Sequence, residues 1–315
     1  MELSGKILLT GGTGSLGKAV LARSKREKWN AEFTIFSRDE TKQSQLKNLY
    51  PEHRYILGDI SRYQDLKRAM RGIDTVCHFA AYKQVPSAQN NVSATIQTNI
   101  IGSQNVVDAA IDTYVGRVVA SSTDKSMQPV NMYGTSKLAM EYIFQDANKY
   151  GGTTFHLARY GNVLSSNESV AKLFKKQAAS GGPLTVTDFR MSRFWLTLDT
   201  AIDLILLALD CEPGVIVVPK APSSSVYTLA QAMANGLPIV ETSIRAGEKL
   251  HEGMVSEAES FYTDEDDTHY YIHPATSDYR NPTAPFSYTS DKSIHNLSCD
   301  ELVQMLEITE LLYGV

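Results

Sequence analysis

Apolar residues fall in short continuous runs along the first half of the chain, and longer polar-apolar mixed stretches separate them. The runs at 6–10, 32–36, 54–57, 75–79 and 117–121 predict five buried strands. Between them, 15–27, 40–49, 63–70 and 92–112 carry a helical period. Residues 133–150 predict a further helix, and 153–157 a sixth strand. Such alternation requires parallel strands joined by crossover helices, so the fold class expected is α/β, a Rossmann-type doubly wound parallel sheet.

After Arg159 the rhythm loosens. Helices are predicted at 169–180 and 200–209, a strand at 215–218, an acidic loop at 263–267, and a closing helix at 298–311 with Ser298 as its cap. The division expected is a nucleotide-binding domain over 1–160 and a smaller, mainly substrate-binding lobe over 161–315. Some later segments return to the first domain. The lobe should cover the C-terminal edge of the sheet, where such sheets bind ligands.

Composition narrows the function classes. The 315 residues are 43% hydrophobic and 21% charged, enough apolar content for a large core, and the formal net charge of -5 speaks against a general nucleic-acid surface. Cys77, Cys211 and Cys299 have neither zinc nor redox-motif spacing, which fits reduced thiols. No leader and no run of membrane-spanning length stands out, so a soluble cytoplasmic protein is expected. His269 and His273 lie in a strand-like stretch without an evident third ligand, and no metal site is expected.

The segment TGGTGSLG joins the first strand to the first helix. Gly11, Gly14 and Gly17, with Thr13, Ser15 and Leu16, let the backbone approach a pyrophosphate and offer it the amides of a helix start. The second strand ends in FSRDE. Ser37 and Arg38 stand where a carboxylate would hold the ribose of NAD, and a guanidinium there favours the 2′-phosphate of NADP. Asp59 and Ile60 are placed for the adenine, and Ala80 and Ala81 for the backbone near the ribose. The fifth strand ends in Ser121, Ser122 and Thr123. Tyr133 and Lys137 follow as an i, i+4 pair, so a helix sets a phenol beside an ammonium that lowers its pKa. That is a base for oxidising an alcohol. The adjacent Asp124 and Lys125 are more than that chemistry needs.

Together TGGTGSLG, FSRDE, AAYKQVP, TNIIGSQNVVDAAI, STDK, YGTSK, RYGNV, FRMSRFW and RAGEKLHE resemble the extended short-chain dehydrogenases/reductases. Within them, STDK with YGTSK resembles the inverting UDP-N-acetylglucosamine 4,6-dehydratases. The resemblance runs from about residue 7 to 255. Two departures stand in it: Tyr82 replaces a usual leucine, and SSNESV at 165–170 replaces a usual GSRGSV.

The resemblance implies that Tyr133 takes the O4 proton of UDP-N-acetylglucosamine while C4 gives hydride to NADP. Lys125, as a neutral amine, then takes the C5 proton, and Asp124, as an acid, protonates the departing C6 hydroxyl. Burial should favour both neutral forms. Thr123 joins the catalytic set. By motif, Lys83, Asn99, Tyr160, Asn162 and Val163 fall to the cofactor. Lys83, Asn162, Val170, Thr187, Arg193, Arg245 and Glu248 fall to the sugar nucleotide. The resemblance also implies a homo-oligomer built on the helices at 92–112 and 133–150, through Val106, Val107, Ile111, Leu138, Met140, Ile143 and Phe144. Competing readings are a UDP-hexosamine 4-epimerase, a 5-epimerase activity following dehydration, and a non-catalytic NADP-binding protein.

Overall fold

The computed structural model describes residues 1–164, 166, 169–281 and 285–313. Asn167 and Glu168, which make the SSNESV departure, lie outside the described residues. The first half runs β1 (Gly5–Thr10), α1 (Ser15–Glu27), β2 (Ala31–Ser37), α2 (Glu40–Leu49), β3 (Arg54–Leu57), α3 (Tyr63–Ala69), β4 (Thr75–His78), α4 (Val85–Asn90), α5 (Val92–Thr95), α6 (Gly102–Asp112), β5 (Arg117–Ser121), α7 (Met132–Ala147) and β6 (Thr154–Ala158). The second half adds β7 (Asn162–Val163), α8 (Val170–Ala179), β8 (Leu184–Val186), β9 (Ser192–Leu196), α9 (Leu198–Asp210), β10 (Ile216–Pro219), β11 (Ser223–Ser225), α10 (Val226–Met233), β12 (Ile239–Glu241), β13 (Gly253–Val255), α11 (Glu257–Ser260), β14 (Thr263–Glu265), β15 (His269–Ile272), β16 (Tyr288–Thr289) and α12 (Cys299–Tyr313).

The main sheet has nine strands in the order β3-β2-β1-β4-β5-β6-β10-β15-β14. From β3 to β10 all neighbours are parallel, while β15 and β14 close the edge antiparallel. This is the doubly wound arrangement expected, with β1 and β4 meeting at the point where the strand order reverses. Alternate residues feed opposite layers, because successive strand side chains point to opposite faces. Leu8 packs on one side with Val106, Phe144 and Phe155, while Ile7 and Leu9 pack on the other with Leu21, Phe33 and Ile205. A third core, around Phe174, Leu184, Trp195, Leu229 and Leu302, holds the lobe together. After residue 160, α9, β10, β15 and β14 return to the main body; of the remaining elements, α8, β8 and α10 pack in the third core, while β13 and β16 pack into the first through Met254, Val255 and Tyr288.

Three local expectations differ from what is found. The helix foreseen at 92–112 is interrupted by a π-helical turn, Ile96–Ile101, where the Gly102 amide reaches back to the Gln97 carbonyl. The inserted residue turns Asn99 inward, and π-turns of this kind concentrate at functional sites. The acidic loop foreseen at 263–267 contains the edge strand β14, whose charges suit an unpaired edge. Val106, Val107, Met140 and Phe144, expected at a subunit interface, are buried inside this chain. Among the described residues, no helix is long and apolar enough to cross a membrane.

Candidate active site

A cleft of about 840 Å³ opens along the C-terminal ends of β1, β2, β4, β5 and β6. Its floor at one end is the β1–α1 turn. Gly14 caps α1 without a side-chain hydrogen bond, so the helix start is presented through backbone. A Cβ at Gly17 would stand 2.5 Å from Gly12, and one at Gly11, where φ is +67°, would stand 2.7 Å from the Ala80 amide nitrogen. The tight turn therefore depends on bare backbone, the shape that admits a pyrophosphate. Thr13, Ser15, Leu16, Ser37, Arg38, Ile60, Ala80, Ala81 and Lys83 all line the cleft. Lys42, which the sequence reading passed over, lines it too.

The segment that carries Thr123, Asp124 and Lys125 is an extension of the sheet. Beyond β5, the Ser122 amide donates to Ala158 O at 2.6 Å and the Asp124 amide to Tyr160 O at 3.0 Å, so strand pairing carries on to the reactive residues. A 3-10 turn, Asp124–Ser126, follows, with the Thr123 hydroxyl capping it. α7 then packs its first turn onto this segment. A Cβ at Gly134 would run into the Lys125 carbonyl, so the glycine of YGTSK is what lets Tyr133 and Lys125 share one cleft.

Glu141, on the same helix, ties these parts together. It is 1% exposed and accepts from Ser122 Oγ at 2.5 Å, while Ser126 Oγ stands 2.9 Å away. Arg159, fully buried at the end of β6, grips it bidentately at 3.0 and 2.7 Å and reaches Glu259 of α11 at 2.8 Å. Burial pulls this guanidinium down, but Glu141 and Glu259 outweigh it and hold its pKa above the usual value.

The two pairs expected to be catalytic carry charge differently from the expectation. Lys137 Nζ donates to Ser121 O at 2.6 Å and lies 3.0 Å from Met140 Sδ, and burial lowers its pKa to about 8. Tyr133 is pushed up by burial, against the opposing pull of the Lys125 ammonium and the Thr123 hydroxyl. The phenol is therefore not depressed by Lys137, whose ammonium points at a strand-end carbonyl instead. Asp124 is 1% exposed, and burial raises its pKa as expected. Lys125 departs from expectation: burial pulls it down, but Asp124 at 3.0 Å and Glu252 at 3.3 Å overcome that and hold it charged. Glu252 was not foreseen, although it is the last letter of RAGEKLHE.

The other expected residues divide by position. Ser121, Ser122, Thr123, Tyr160, Asn162 and Val163 line the cleft beside Tyr133. Asp59 stands just behind it, 3.5 Å from Arg38 Nη1. Asn99 is buried behind the wall. It accepts from the Tyr82 amide at 2.7 Å and donates to Tyr82 O and Ser136 Oγ, a supporting role rather than an open binding group. Val170 starts α8, next to Ser169, which lines the cleft. Thr187 follows β8, its hydroxyl 3.1 Å from Met191 Sδ.

Arg193 is buried. Its guanidinium bonds the carbonyls of Ser192, Leu250 and Lys249, which ties β9 to the turn before β13. Arg245 is exposed and lies 3.7 Å from Glu248. Their loop is anchored to α7 by Asn131, which caps the helix at the Gly134 amide and donates to Gly247 O at 2.8 Å. His269 and His273 turn to Asp266 and Asp264 respectively. Among the described residues, no group of three or more His, Cys, Asp or Glu could hold a metal ion.

Residues 7–274 match the sequence profile of the family described as polysaccharide biosynthesis protein. The chain belongs to that family. A family relative from Campylobacter jejuni strain 81-176, named UDP-N-acetylglucosamine 4,6-dehydratase (inverting), is 39% identical over 96% of this chain and 98% of its own. A relative from Rickettsia akari, named UDP-glucose 4-epimerase, is 38% identical over 84% of this chain and 82% of its own. Among solved structures, Pen from Bacillus thuringiensis superposes with a TM-score of 0.90 at 32% identity, 98% of each chain being covered.

The buried Arg159–Glu141 bond gives this family member a direct test. Glu141→Ala leaves the guanidinium short of its bidentate partner and should cost about 3 kcal/mol or more of unfolding free energy. Urea denaturation reads this, and a loss under about 1 kcal/mol contradicts the clamp.

Proposed function

We propose that the protein is a UDP-N-acetylglucosamine 4,6-dehydratase of the C5-inverting kind, working with NADP. The observation that carries the reading is the pair of a buried Asp124 and a partly buried Lys125, 3.0 Å apart, in the same cleft as Tyr133 and Lys137. An epimerase that only oxidises and reduces C4 has work for the second pair alone.

The bare-backbone turn at Gly11–Gly17 and the α1 start fit a dinucleotide pyrophosphate. Held there, the nicotinamide would supply a hydride acceptor for C4 of the sugar and a hydride donor for C6. Tyr133, once its phenol has released its own proton to solvent through the open cleft, takes the O4 proton, with Thr123 hydrogen-bonded to it. The 4-ketone so formed acidifies the C5 hydrogen. Lys125 removes that proton once it has itself been discharged, and Asp124 gives its proton to the C6 hydroxyl, which leaves as water. Lys137, bonded to the Ser121 carbonyl, fixes the α7 face against the strand tip. Arg245 and Glu248 belong to the nucleotide half of this reading, Val170 and Thr187 to the sugar half. In a proton NMR assay with NADP and UDP-N-acetylglucosamine, the expected product is the 6-deoxy-4-keto sugar. Lys125→Ala should lower its rate by about 100-fold or more while NADP binding persists. A C4 epimer as sole product favours the second reading, a UDP-hexosamine 4-epimerase, to which the Rickettsia akari relative lends support.

For the cofactor, Arg38 and Lys42 place two cations beside Ser37, where a 2′-phosphate would meet them. NADP should therefore bind more tightly than NAD, and Arg38→Ala should weaken NADP by about tenfold or more. Titration calorimetry giving equal affinities for the two cofactors would sink this part.

The same reading includes a homodimer. Val92, Ile96 and Ile101 are exposed, and their spacing across the π-turn sets them along one side of the α5–α6 stretch. A second copy related by a two-fold axis would cover such a stripe with its own. Light scattering should report a dimer or a multiple of it; a monomer at micromolar concentration contradicts this.

A further inference from the structure

The lobe brings a second carboxylate to the elimination pair. Glu252 precedes β13 and is 3% exposed. Its Oε1 stands 3.3 Å from Lys125 Nζ, on which Asp124 Oδ1 already sits at 3.0 Å. The placement is built into the lobe. The Glu252 amide donates to Ser290 Oγ at 3.1 Å, and the Ser290 amide returns a bond to Glu252 O at 2.8 Å. Next to it, Gly253 packs against Met127, leaving no room for a Cβ.

One ammonium thus stands between two carboxylates, and buried carboxylates that share a site resist ionising together. The neighbouring cations decide which one keeps its charge. Lys249 Nζ lies 3.9 Å from Glu252 Oε2, and the Arg193 guanidinium of β9 also bears on Glu252; the direct ion pair of Asp124 is with Lys125, and Lys249 reaches Asp124 only as a more distant charge. Lys249 is itself pulled down by burial. Burial pushes Glu252 up, but Lys125, Arg193 and Lys249 outweigh it and hold it below the usual carboxylate range. Asp124 goes the other way, raised by burial with the Glu252 charge adding to it.

We propose that Glu252 is the counter-ion of Lys125 and the acceptor of its proton, a positioning residue that leaves Asp124 protonated for the departing hydroxyl. This rests on the dehydratase reading. The proton count then closes. At rest the three groups are a neutral Asp124, an ammonium and the Glu252 carboxylate. Lys125 passes one proton to Glu252 and becomes a free amine. The C5–H bond breaks, its proton goes to Lys125, and its electron pair forms the C5–C6 double bond. The C6–O bond breaks, and the hydroxyl leaves as water with the Asp124 proton. The net charge of the trio is the same before and after. With Asp124 and Lys125 alone, the acid would have to be the group that discharges the base.

The test compares wild type, Glu252→Gln and Glu252→Asp in the full chain with NADP and UDP-N-acetylglucosamine. Glu252→Gln should lower kcat by about 100-fold near neutral pH, with KM little changed. It should also shift the alkaline limb of kcat to lower pH. The sign follows from Asp124: the reaction needs it protonated, and removing the neighbouring negative charge lowers the pH at which it ionises. Glu252→Asp should recover most of both effects. A readout without turnover is the infrared carbonyl band of protonated Asp124, recognised by its loss in Asp124→Asn. That band should be present near neutral pH in the wild type and absent in Glu252→Gln. An unchanged alkaline limb, or an Asp124 band in Glu252→Gln like that of the wild type, overturns the proposal. A wild type that does not turn over UDP-N-acetylglucosamine overturns the dehydratase reading instead, and the infrared comparison still decides the pairing.

Discussion

A carboxylate without water must be surrounded by donors, and Glu141 meets that demand with groups from two parts of the chain. Ser122 and Ser126 come from the segment after β5, and Arg159 from the end of β6. Thr123, Asp124 and Lys125 lie between the two serines. Satisfying one buried charge therefore fixes the catalytic turn against α7, the helix that carries Tyr133 and Lys137. Arg159 extends the same constraint to the lobe through Glu259, whose carboxylate also closes a capping box on Ser256. Each carboxylate and guanidinium in this chain of contacts would be costly alone, and together they hold sheet, helix and lobe in one register.

That rigidity matters because the site is asked to do two kinds of proton chemistry within one cleft. Redox at C4 needs a single base. Elimination across C5 and C6 needs a base and an acid at once, from adjacent residues that would ordinarily neutralise each other as an ion pair. Burial alone does not separate them, since Lys125 stays charged between Asp124 and Glu252. The separation comes from unequal surroundings: Glu252 has direct ion pairs with Lys249 and Lys125 and the Arg193 charge besides, whereas the direct ion pair of Asp124 is with Lys125. Arg193, expected from sequence at the sugar nucleotide, also organises this charge set, because its guanidinium is bonded to the backbone beside Glu252.

Much of this was readable from the chain. Parallel strands buried on both faces leave continuous apolar runs, so β1 to β6 were located within a residue or two. The glycine turn and the Tyr133–Lys137 spacing were legible because each is a local geometric requirement. The misses share one cause, dependence on tertiary partners. The π-turn before α6 exists where Asn99 meets Tyr82 and Ser136. The strand Thr263–Glu265 forms only because His269–Ile272 lies beside it. Nothing in the local spacing of YGTSK shows that Lys137 will point at Ser121 O. Likewise RAGEKLHE displays Glu252 without displaying Lys125, 127 residues earlier in the chain.

The central claim is that Tyr133 and the Asp124–Lys125 pair act in one cleft on one sugar. It is tested most directly by giving the enzyme UDP-N-acetylglucosamine deuterated at C4, in ordinary water, and locating the label by NMR. The account predicts deuterium at C6 of a 6-deoxy-4-keto product, delivered within the same molecule, with a solvent-derived proton at an inverted C5. Label retained at C4 of an epimerised sugar, with C5 and C6 untouched, would contradict it.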